Sequence, residues 1–234
     1  MKRNYSPTWI QKLNKNCLIS EISLWSADLL NLYQEIKKVE SRADVFHLDV
    51  SDGHFSPKLL FFPDFVYAIK KTTQIPLHIH LMVSDKILEE QIEQFIKICA
   101  DLISIHVENK NINKALSLIH KSGIASGLVL KLETPVISIE PYLQKIQWIT
   151  VLGTNVGVKG CELDANGPIK IAEIKKMIKT KNLNDLVIAA DGGIRKHTVP
   201  ILHASGAQSV VMGSLAFNAN NFDECMDWIK SFQV

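Results

Sequence analysis

The feature that most constrains the fold of this chain is a regular alternation of two kinds of segment. Short runs rich in Val, Ile and Leu alternate with longer amphipathic stretches, about once every 25 to 30 residues. This rhythm is typical of βα units built around a parallel sheet. Eight runs are predicted as strands: residues 18–23, 45–50, 77–82, 102–107, 126–131, 148–152, 186–190 and 208–212.

Helical periodicity marks the stretches between these strands. Residues 85–99 place Ile87, Ile92, Phe95, Ile96 and Cys99 on one face and charged residues on the other. Residues 165–181 and 220–232 follow the same pattern. We therefore expect helices between the strands and after the last one.

Eight βα units fit two architectures, a closed (β/α)₈ TIM barrel and an open doubly wound sheet. The length of 234 residues suits one barrel of about 250 residues. Polar residues recur at the ends of predicted strands 1, 2, 3, 7 and 8, and a barrel brings those ends to one face. We predict an N-terminal extension over residues 1–16 and a single barrel over 17–234. Tyr5 and Trp9 of the extension are candidates to cover a barrel end or an interface.

Charge and cysteine content limit the classes of partner. The formal net charge is only +2, with 26 Lys and Arg against 24 Asp and Glu. No basic block is long enough to predict a nucleic acid or a membrane surface as a partner, which favours a small molecule. The four cysteines are far apart, and the basic start lacks an apolar signal-peptide core. We expect free thiols and a cytoplasmic location.

Histidines and carboxylates stand on apolar strands near their carboxyl ends. His47 and Asp49 share one face of the second predicted strand, and His78 and His80 share one face of the third. Asp191 directly follows the seventh. Each residue alone could be a hydrogen-bonded core group, and Asp191 could be a turn or N-cap residue. Together, two histidines and two carboxylates suit zinc, iron or manganese better than calcium.

Glycines after the last strands indicate an anion site. Gly192 and Gly193 follow the seventh strand, with a helix expected to start near Arg195, and Gly213 and Ser214 follow the eighth. Barrels often hold phosphate in these two loops, where backbone N–H groups point at the anion. Residues 157–160 form a third glycine-containing loop that could close over the same anion.

Five segments of the chain match a known family. They read SLWSAD at 23–28, HLDVSDGHF at 47–55, HLMV at 80–83, DGGI at 191–194 and GS at 213–214. With these motifs, the chain resembles ribulose-phosphate 3-epimerase and its hexulose-phosphate relatives from about residue 17 to about residue 230. The second and third motifs, in that order, are specific to the family.

The resemblance implies a TIM barrel of the ribulose-phosphate-binding type and one divalent metal ion, Zn, Fe, Mn or Co. It implies that His47, Asp49, His80 and Asp191 are the metal ligands. Asp49 and Asp191 would also be the two acid/base residues. It further implies a sugar-phosphate substrate and a homo-oligomer. The remaining residues expected to contact substrate are Ser23, His80, Gly157, Lys159, Gly160, Gly192, Gly193, Gly213 and Ser214.

The reaction implied is 3-epimerisation of D-ribulose 5-phosphate to D-xylulose 5-phosphate by two-carboxylate proton transfer through an enediolate. A hexulose phosphate such as D-allulose 6-phosphate is the alternative substrate, and a non-catalytic sugar-phosphate-binding protein is the alternative class. Related decarboxylases carry an Asp-x-Lys-x-x-Asp run. The run beginning at Asp49 reads DVSD and has no lysine, which counts against that activity.

Departures from the family pattern concern the expected pocket lining. Lys159 stands where a glycine is usual and either binds phosphate or lies on a solvated loop. Ser51 and Leu152 replace methionines, and Lys58 replaces an asparagine. His78 replaces an aspartate and is either a partner of His80 or a core histidine, the second being favoured.

Overall fold

Eight parallel strands form a closed barrel in the computed structural model, which describes residues 7–234. Each strand pairs with the next in sequence, and the first pairs with the last, so the ring has no free edge. The predicted barrel is confirmed, and the open sheet is wrong. The strands are β1 (Ile19–Ser23), β2 (Val45–Ser51), β3 (Leu77–Met82), β4 (Leu102–His106), β5 (Ala125–Leu130), β6 (Trp148–Leu152), β7 (Val187–Asp191) and β8 (Ser209–Met212).

Helices connect the strands and pack around the ring. They are α1 (Thr8–Lys12), α2 (Leu32–Val39), α3 (Pro63–Lys70), α4 (Leu88–Lys97), α5 (Ile112–Lys121), α6 (Asn166–Thr180), α7 (Val199–Ser205), α8 (Ser214–Phe217) and α9 (Phe222–Lys230). Between β5 and β6 the connection is a 3₁₀ segment, Val136–Lys145, which contains Pro141. Proline lacks the N–H that an α-helix interior requires, which disfavours an α-helix at this point. Within residues 7–234 no helix is long and apolar enough to cross a membrane.

The predicted elements agree with the structure to within about three residues at each end. Differences of this size are expected, because the ends of helices and strands are weakly encoded in the sequence. Two differences matter for the site. Strand β7 extends to Asp191, so this carboxylate is held by the sheet and not by a turn. The helix expected near Arg195 begins only at Val199. Cys99 does not share the buried face of α4, because it lies past the helix end with a φ of 60° and is exposed.

The amino end of the barrel is closed by apolar side chains. Residues at the starts of the strands form one buried cluster, and Ile10 of α1, only 2% exposed, belongs to it. Trp9 packs against this cluster, with its ring centroid 6.3 Å from that of Trp148. The segment before β1 therefore forms a floor under the barrel, while Tyr5 lies outside the described residues. The strand residues of the cluster are Ile19, Val45, Leu102, Ala125, Trp148, Val187 and Ala189.

All four cysteines are free thiols, as predicted. Cys17 is buried, Cys99 and Cys161 are exposed, and Cys225 is intermediate.

Candidate metal centre and substrate pocket

Strand register brings the predicted ligands together at the carboxyl ends of the strands. In the pairing of β2 with β3, Asp49 is the direct neighbour of His80, and His47 is the neighbour of His78. Because side chains alternate along a strand, these four residues of β2 and β3 all point to the same side of the sheet, the inside of the barrel. Asp191 enters from the end of β7.

Four side chains form a compact set of metal-binding donors. One ligand atom from each of His47, Asp49, His80 and Asp191 lies within 4.8 Å of the other three. Asp49 Oδ1 is 3.4 Å from His47 Nε2 and 3.1 Å from His80 Nδ1. Asp191 Oδ2 is 3.8 Å from the first nitrogen and 3.7 Å from the second. Ligand bonds of about 2.1 Å around one ion place donor atoms about 3.4 Å apart, close to these separations.

His47 supplies an independent indication of a missing partner. Its Nε2 atom is buried and has no hydrogen-bond partner among the described residues. A buried polar atom without a partner is costly, and a divalent ion held by the four donors would satisfy it. Two imidazole nitrogens and two carboxylate oxygens fit such an ion, so the predicted candidate centre is present.

The pKa values of the two carboxylates in the centre are shifted in opposite directions. Burial alone would raise the pKa of Asp49, but contact with His47 and His80 holds that pKa well below its usual range. Burial raises the pKa of Asp191 to about 6, and the charge of Asp49 acts in the same direction. Burial would lower the pKa of His47, yet the charges of Asp49, Glu21 and Asp191 hold it well above its usual value. The centre therefore carries protons that a metal would displace.

Beneath the four donors lies a carboxylate that the sequence analysis missed. Glu21 of β1 is fully buried, and its Oε2 atom accepts hydrogen bonds from His47 Nδ1 at 3.0 Å and His78 Nδ1 at 2.6 Å. His78 is thus a core histidine, as favoured, and its carboxylate partner is shared with His47 rather than His80. A glutamate in the middle of β1, two residues before Ser23 and therefore on the same face of the strand, was the available signal.

A second missed pair supports His80. His80 Nε2 lies 2.9 Å from Nε2 of His106, whose Nδ1 lies 3.0 Å from Glu108 Oε2. Burial lowers the pKa of His106 to about 4, so this ring is neutral at pH 7. It donates from Nδ1 to Glu108 and accepts at Nε2 from His80. This orients the ring so that His80 Nδ1 faces Asp49 Oδ1 at 3.1 Å and Asp191 Oδ2 at 3.7 Å.

One pocket at the carboxyl end of the barrel is lined by every residue predicted to contact substrate and by both acid/base candidates. Ser23, Asp49, His80, Gly157, Lys159, Gly160, Asp191, Gly192, Gly193, Gly213 and Ser214 all line it. His47 is buried below them. Of the departures, Leu152 also lines the pocket, whereas Ser51 and Lys58 do not. The expectation for these two was wrong: the hydroxyl of Ser51, the last residue of β2, bonds Ser56 Oγ and the Lys58 carbonyl oxygen of the loop that follows.

Backbone shape explains the glycines after β7. Gly192 and Gly193 have φ values of +90° and +68°, and a Cβ on Gly193 would lie 2.6 Å from Leu163 Cα. Only glycine fits such a conformation and approach. In place of an immediate helix, Thr198 closes the turn by donating from Oγ1 to the Gly193 carbonyl oxygen at 2.7 Å.

Lys159 is exposed on the loop after β6, and its role in binding phosphate stays a prediction. Its ammonium donates to the Trp25 carbonyl oxygen at 3.0 Å and lies 5.5 Å from the centroid of that indole ring. The side chain therefore connects the loop after β6 to the turn after β1 across the rim of the pocket. Its charge lines the pocket without a carboxylate partner among the described residues.

Fold and site together define a (β/α)₈ barrel with a candidate divalent-metal centre at the carboxyl ends of its strands. The particular family follows from comparison with known proteins. Residues 19–217 match the model of the ribulose-phosphate 3 epimerase family, and the chain belongs to that family. This confirms the resemblance and, with it, the predicted class of enzyme, a carbohydrate-phosphate epimerase.

Relatives match over most of their lengths. The chain is 34% identical over 210 residues to ribulose-phosphate 3-epimerase of Bacillus subtilis, covering 89% of this chain and 96% of the relative. It is 30% identical over 226 residues to the chloroplastic ribulose-5-phosphate-3-epimerase of Arabidopsis thaliana, covering 95% and 79%. The family therefore extends over the whole barrel and is not confined to one motif.

Solved structures support the barrel independently. A 3-hexulose-6-phosphate synthase superposes with a TM-score of 0.66 at 13% identity, over 92% of this chain and 99% of that one. Orotidine 5'-phosphate decarboxylase from Pyrococcus horikoshii gives a TM-score of 0.65 at 14% identity, over 91% and 98%. At these identities the likeness concerns the fold alone.

Proposed function

We propose that this chain interconverts D-ribulose 5-phosphate and D-xylulose 5-phosphate by metal-dependent 3-epimerisation. One observation carries the proposal: Asp49 and Asp191 enter the same pocket from β2 and β7, and both border the candidate metal centre. Epimerisation at a carbon next to a carbonyl requires one group to remove a proton and a second to return one to the opposite face. The names of the aligned epimerases support the choice of a pentulose phosphate.

The two carboxylates suit opposite roles in one turnover. The pKa of Asp49 is held well below its usual range and that of Asp191 is raised to about 6, so Asp191 has the higher affinity for a proton of the two. Such unequal pairs are typical of sites that need both an acid and a base. Ser23 donates a hydrogen bond from Oγ to Asp49 Oδ2 at 3.1 Å, which orients the carboxylate. In the reverse reaction the roles exchange through the enediolate.

Four residues would hold the ion: His47, Asp49, His80 and Asp191. A bound divalent metal would supply Lewis-acid stabilisation of negative charge on the substrate oxygens. Zn, Fe, Mn and Co all accept mixed nitrogen and oxygen donors.

The loops at the pocket rim would hold the phosphate and so place the reacting carbon between the carboxylates. A fixed phosphate converts an encounter in solution into a reaction of a positioned substrate. Lys159 adds a positive charge at this rim. The backbone positions proposed for phosphate are Gly157, Gly160, Gly192, Gly193, Gly213 and Ser214.

Isotope exchange tests the reaction directly. Metal-loaded protein is incubated in deuterated water with D-ribulose 5-phosphate and, separately, with D-allulose 6-phosphate, and deuterium at C3 is followed. We expect exchange and epimerisation with the pentulose phosphate. Faster turnover of the hexulose phosphate would assign the chain to that substrate. Exchange with neither, in protein verified to hold metal, would leave a sugar-phosphate-binding protein.

Asp191→Asn tests the two-carboxylate mechanism. Loss of one acid/base group should slow epimerisation by about 10²- to 10⁴-fold. Asp49 can still exchange the proton on its own face, so exchange without epimerisation should survive from only one of the two epimers. Metal content measured in the same samples separates loss of the ion from loss of proton transfer. Epimerisation at the wild-type rate would show that the second carboxylate is misassigned.

We also infer a homo-oligomer that works in the cytoplasm. Large apolar side chains are exposed on the barrel surface, among them Leu30 at 95% and Leu59 at 80%, which favours an interface. Four free thiols suit a reducing compartment. Light scattering of the purified protein tests the first inference, because a monomer at micromolar concentration would contradict it. Fractionation of the source cells tests the second.

A further inference from the structure

The carboxylate of Glu21 occupies the centre of the barrel, directly below the candidate metal centre. Its Oε2 atom accepts from Nδ1 of His47 and from Nδ1 of His78. Its Oε1 atom accepts from Trp148 Nε1 at 3.1 Å and from Ser209 Oγ at 2.8 Å. All four donors are buried. The carboxylate is therefore held from two sides and has little freedom to turn.

This arrangement decides which nitrogen of His47 carries a proton. A neutral imidazole has one N–H and one free electron pair. In the neutral ring that a metal requires, Nδ1 keeps its proton because it donates to Glu21, and the electron pair lies on Nε2, the buried atom that faces Asp49 and Asp191. The opposite tautomer would leave Glu21 facing a nitrogen lone pair and would place a hydrogen where the ion has to bind.

We propose that Glu21 is a positioning residue that selects the metal-binding tautomer of His47. His78 is a second hydrogen-bond donor that fixes the carboxylate in place. The proposal rests on the metal centre of the proposed function. His78 is itself held at the far side, because its Nε2 lies 2.7 Å from Ser104 Oγ. Metal-bound histidines generally donate their other N–H to an oxygen, and loss of that oxygen weakens metal binding about 10- to 100-fold.

An alternative use of the same residues is a second ion. Ligand atoms of Glu21, His47 and His78 also lie within 4.8 Å of one another. The carboxylate already receives four hydrogen bonds, and its three possible ligands are fully buried, so protons rather than an ion fill this position. Stoichiometry distinguishes the two, since the proposal requires one ion per chain.

Glu21→Gln tests the tautomer while keeping the size of the side chain. If the amide oxygen accepts from Trp148 and Ser209, its NH₂ group faces the Nδ1 atoms and forces the proton of His47 onto Nε2. We expect Zn²⁺ to bind about 10- to 100-fold more weakly, measured by competition with a chromogenic chelator. Ser209→Ala is the matched control: it removes one hydrogen bond from the same carboxylate without touching either histidine. Its Zn²⁺ affinity should stay within about threefold of the wild type.

A spectroscopic measurement on the wild type keeps the test independent of how the variants fold. In ¹⁵N-labelled, Zn²⁺-loaded protein, His47 should carry its proton on Nδ1, and the opposite tautomer would overturn the proposal. Equal Zn²⁺ affinity of Glu21→Gln and wild type, or an equal loss in Ser209→Ala, would also overturn it, as would two ions per wild-type chain. A wild type that binds none of Zn²⁺, Mn²⁺, Co²⁺ or Fe²⁺ would instead refute the metal centre of the proposed function.

Discussion

Binding of a divalent metal should release protons, and the structure determines how many. In the metal-free centre the pKa of His47 is held well above its usual value by neighbouring carboxylates, so this ring is protonated near neutral pH. The pKa of Asp191 is raised to about 6. Both residues must lose their protons to become ligands. The number of protons released therefore depends on pH in a defined way.

At pH 7.5 His47 should release about one proton and Asp191 almost none, giving a total of about one. At pH 6 Asp191 is about half protonated, so the total should rise to about 1.5. Because protons leave when the metal binds, metal affinity should increase with pH, about tenfold per pH unit near 7.5 and more steeply near 6.

Calorimetric titration with Mn²⁺ or Co²⁺ measures this number from the dependence of the apparent enthalpy on the ionisation enthalpy of the buffer. Two weakly chelating buffers at each pH are sufficient. In the Asp191→Asn control, the proton at pH 7.5 should remain and the additional half proton at pH 6 should disappear. No proton release at pH 7.5 would refute the charge assignment of His47, and an unchanged value in the control would refute that of Asp191.

Three further variants test separate parts of the structure. Gly193→Ala should lower the free energy of unfolding in urea by about 2–4 kcal/mol through strain and a backbone clash. At Gly160 an added Cβ meets nothing within 4 Å, so Gly160→Ala should cost less than half as much. Equal losses of stability in the two variants would contradict the geometry. Ile10→Ala should destabilise by about 2–4 kcal/mol, and a change below about 0.5 kcal/mol would mean that α1 does not pack on the barrel in solution. Lys159→Met should raise KM for the sugar phosphate about tenfold with little change in kcat, whereas Lys58→Met, outside the pocket, should not.

The barrel could be predicted because local patterns specify it, whereas the choice of the four donor residues came from the resemblance to the family. Alternation within strands placed His47 with Asp49 and identified the inward face of β2, and the spacing of βα units predicted the architecture. Asp191 was expected beside a turn and is the last residue of its strand. That difference is one residue and does not change which way its side chain points.

Residues that act through neighbouring strands were missed, because no local pattern encodes their partners. Glu21 is understood only once β1, β2 and β3 are adjacent, and His106 only once β4 lies beside β3. The contacts of Ser51 at the end of β2 were the other failure. Its hydroxyl bonds the loop that follows the strand and does not line the pocket, and a pairing of this kind depends on loop shape, which sequence spacing does not reveal.

The apolar floor made by Ile10 and Trp9 lies at one end of the barrel, and the substrate pocket opens at the other, where the metal centre lies. A ketose phosphate bound in this pocket would cover the path through it by which the ion or a proton exchanges with bulk water. The bound substrate would then block this path, and the metal should dissociate more slowly from the protein with substrate bound than from the protein without it. Retention of the ion during turnover is in this view a property of a barrel closed at one end.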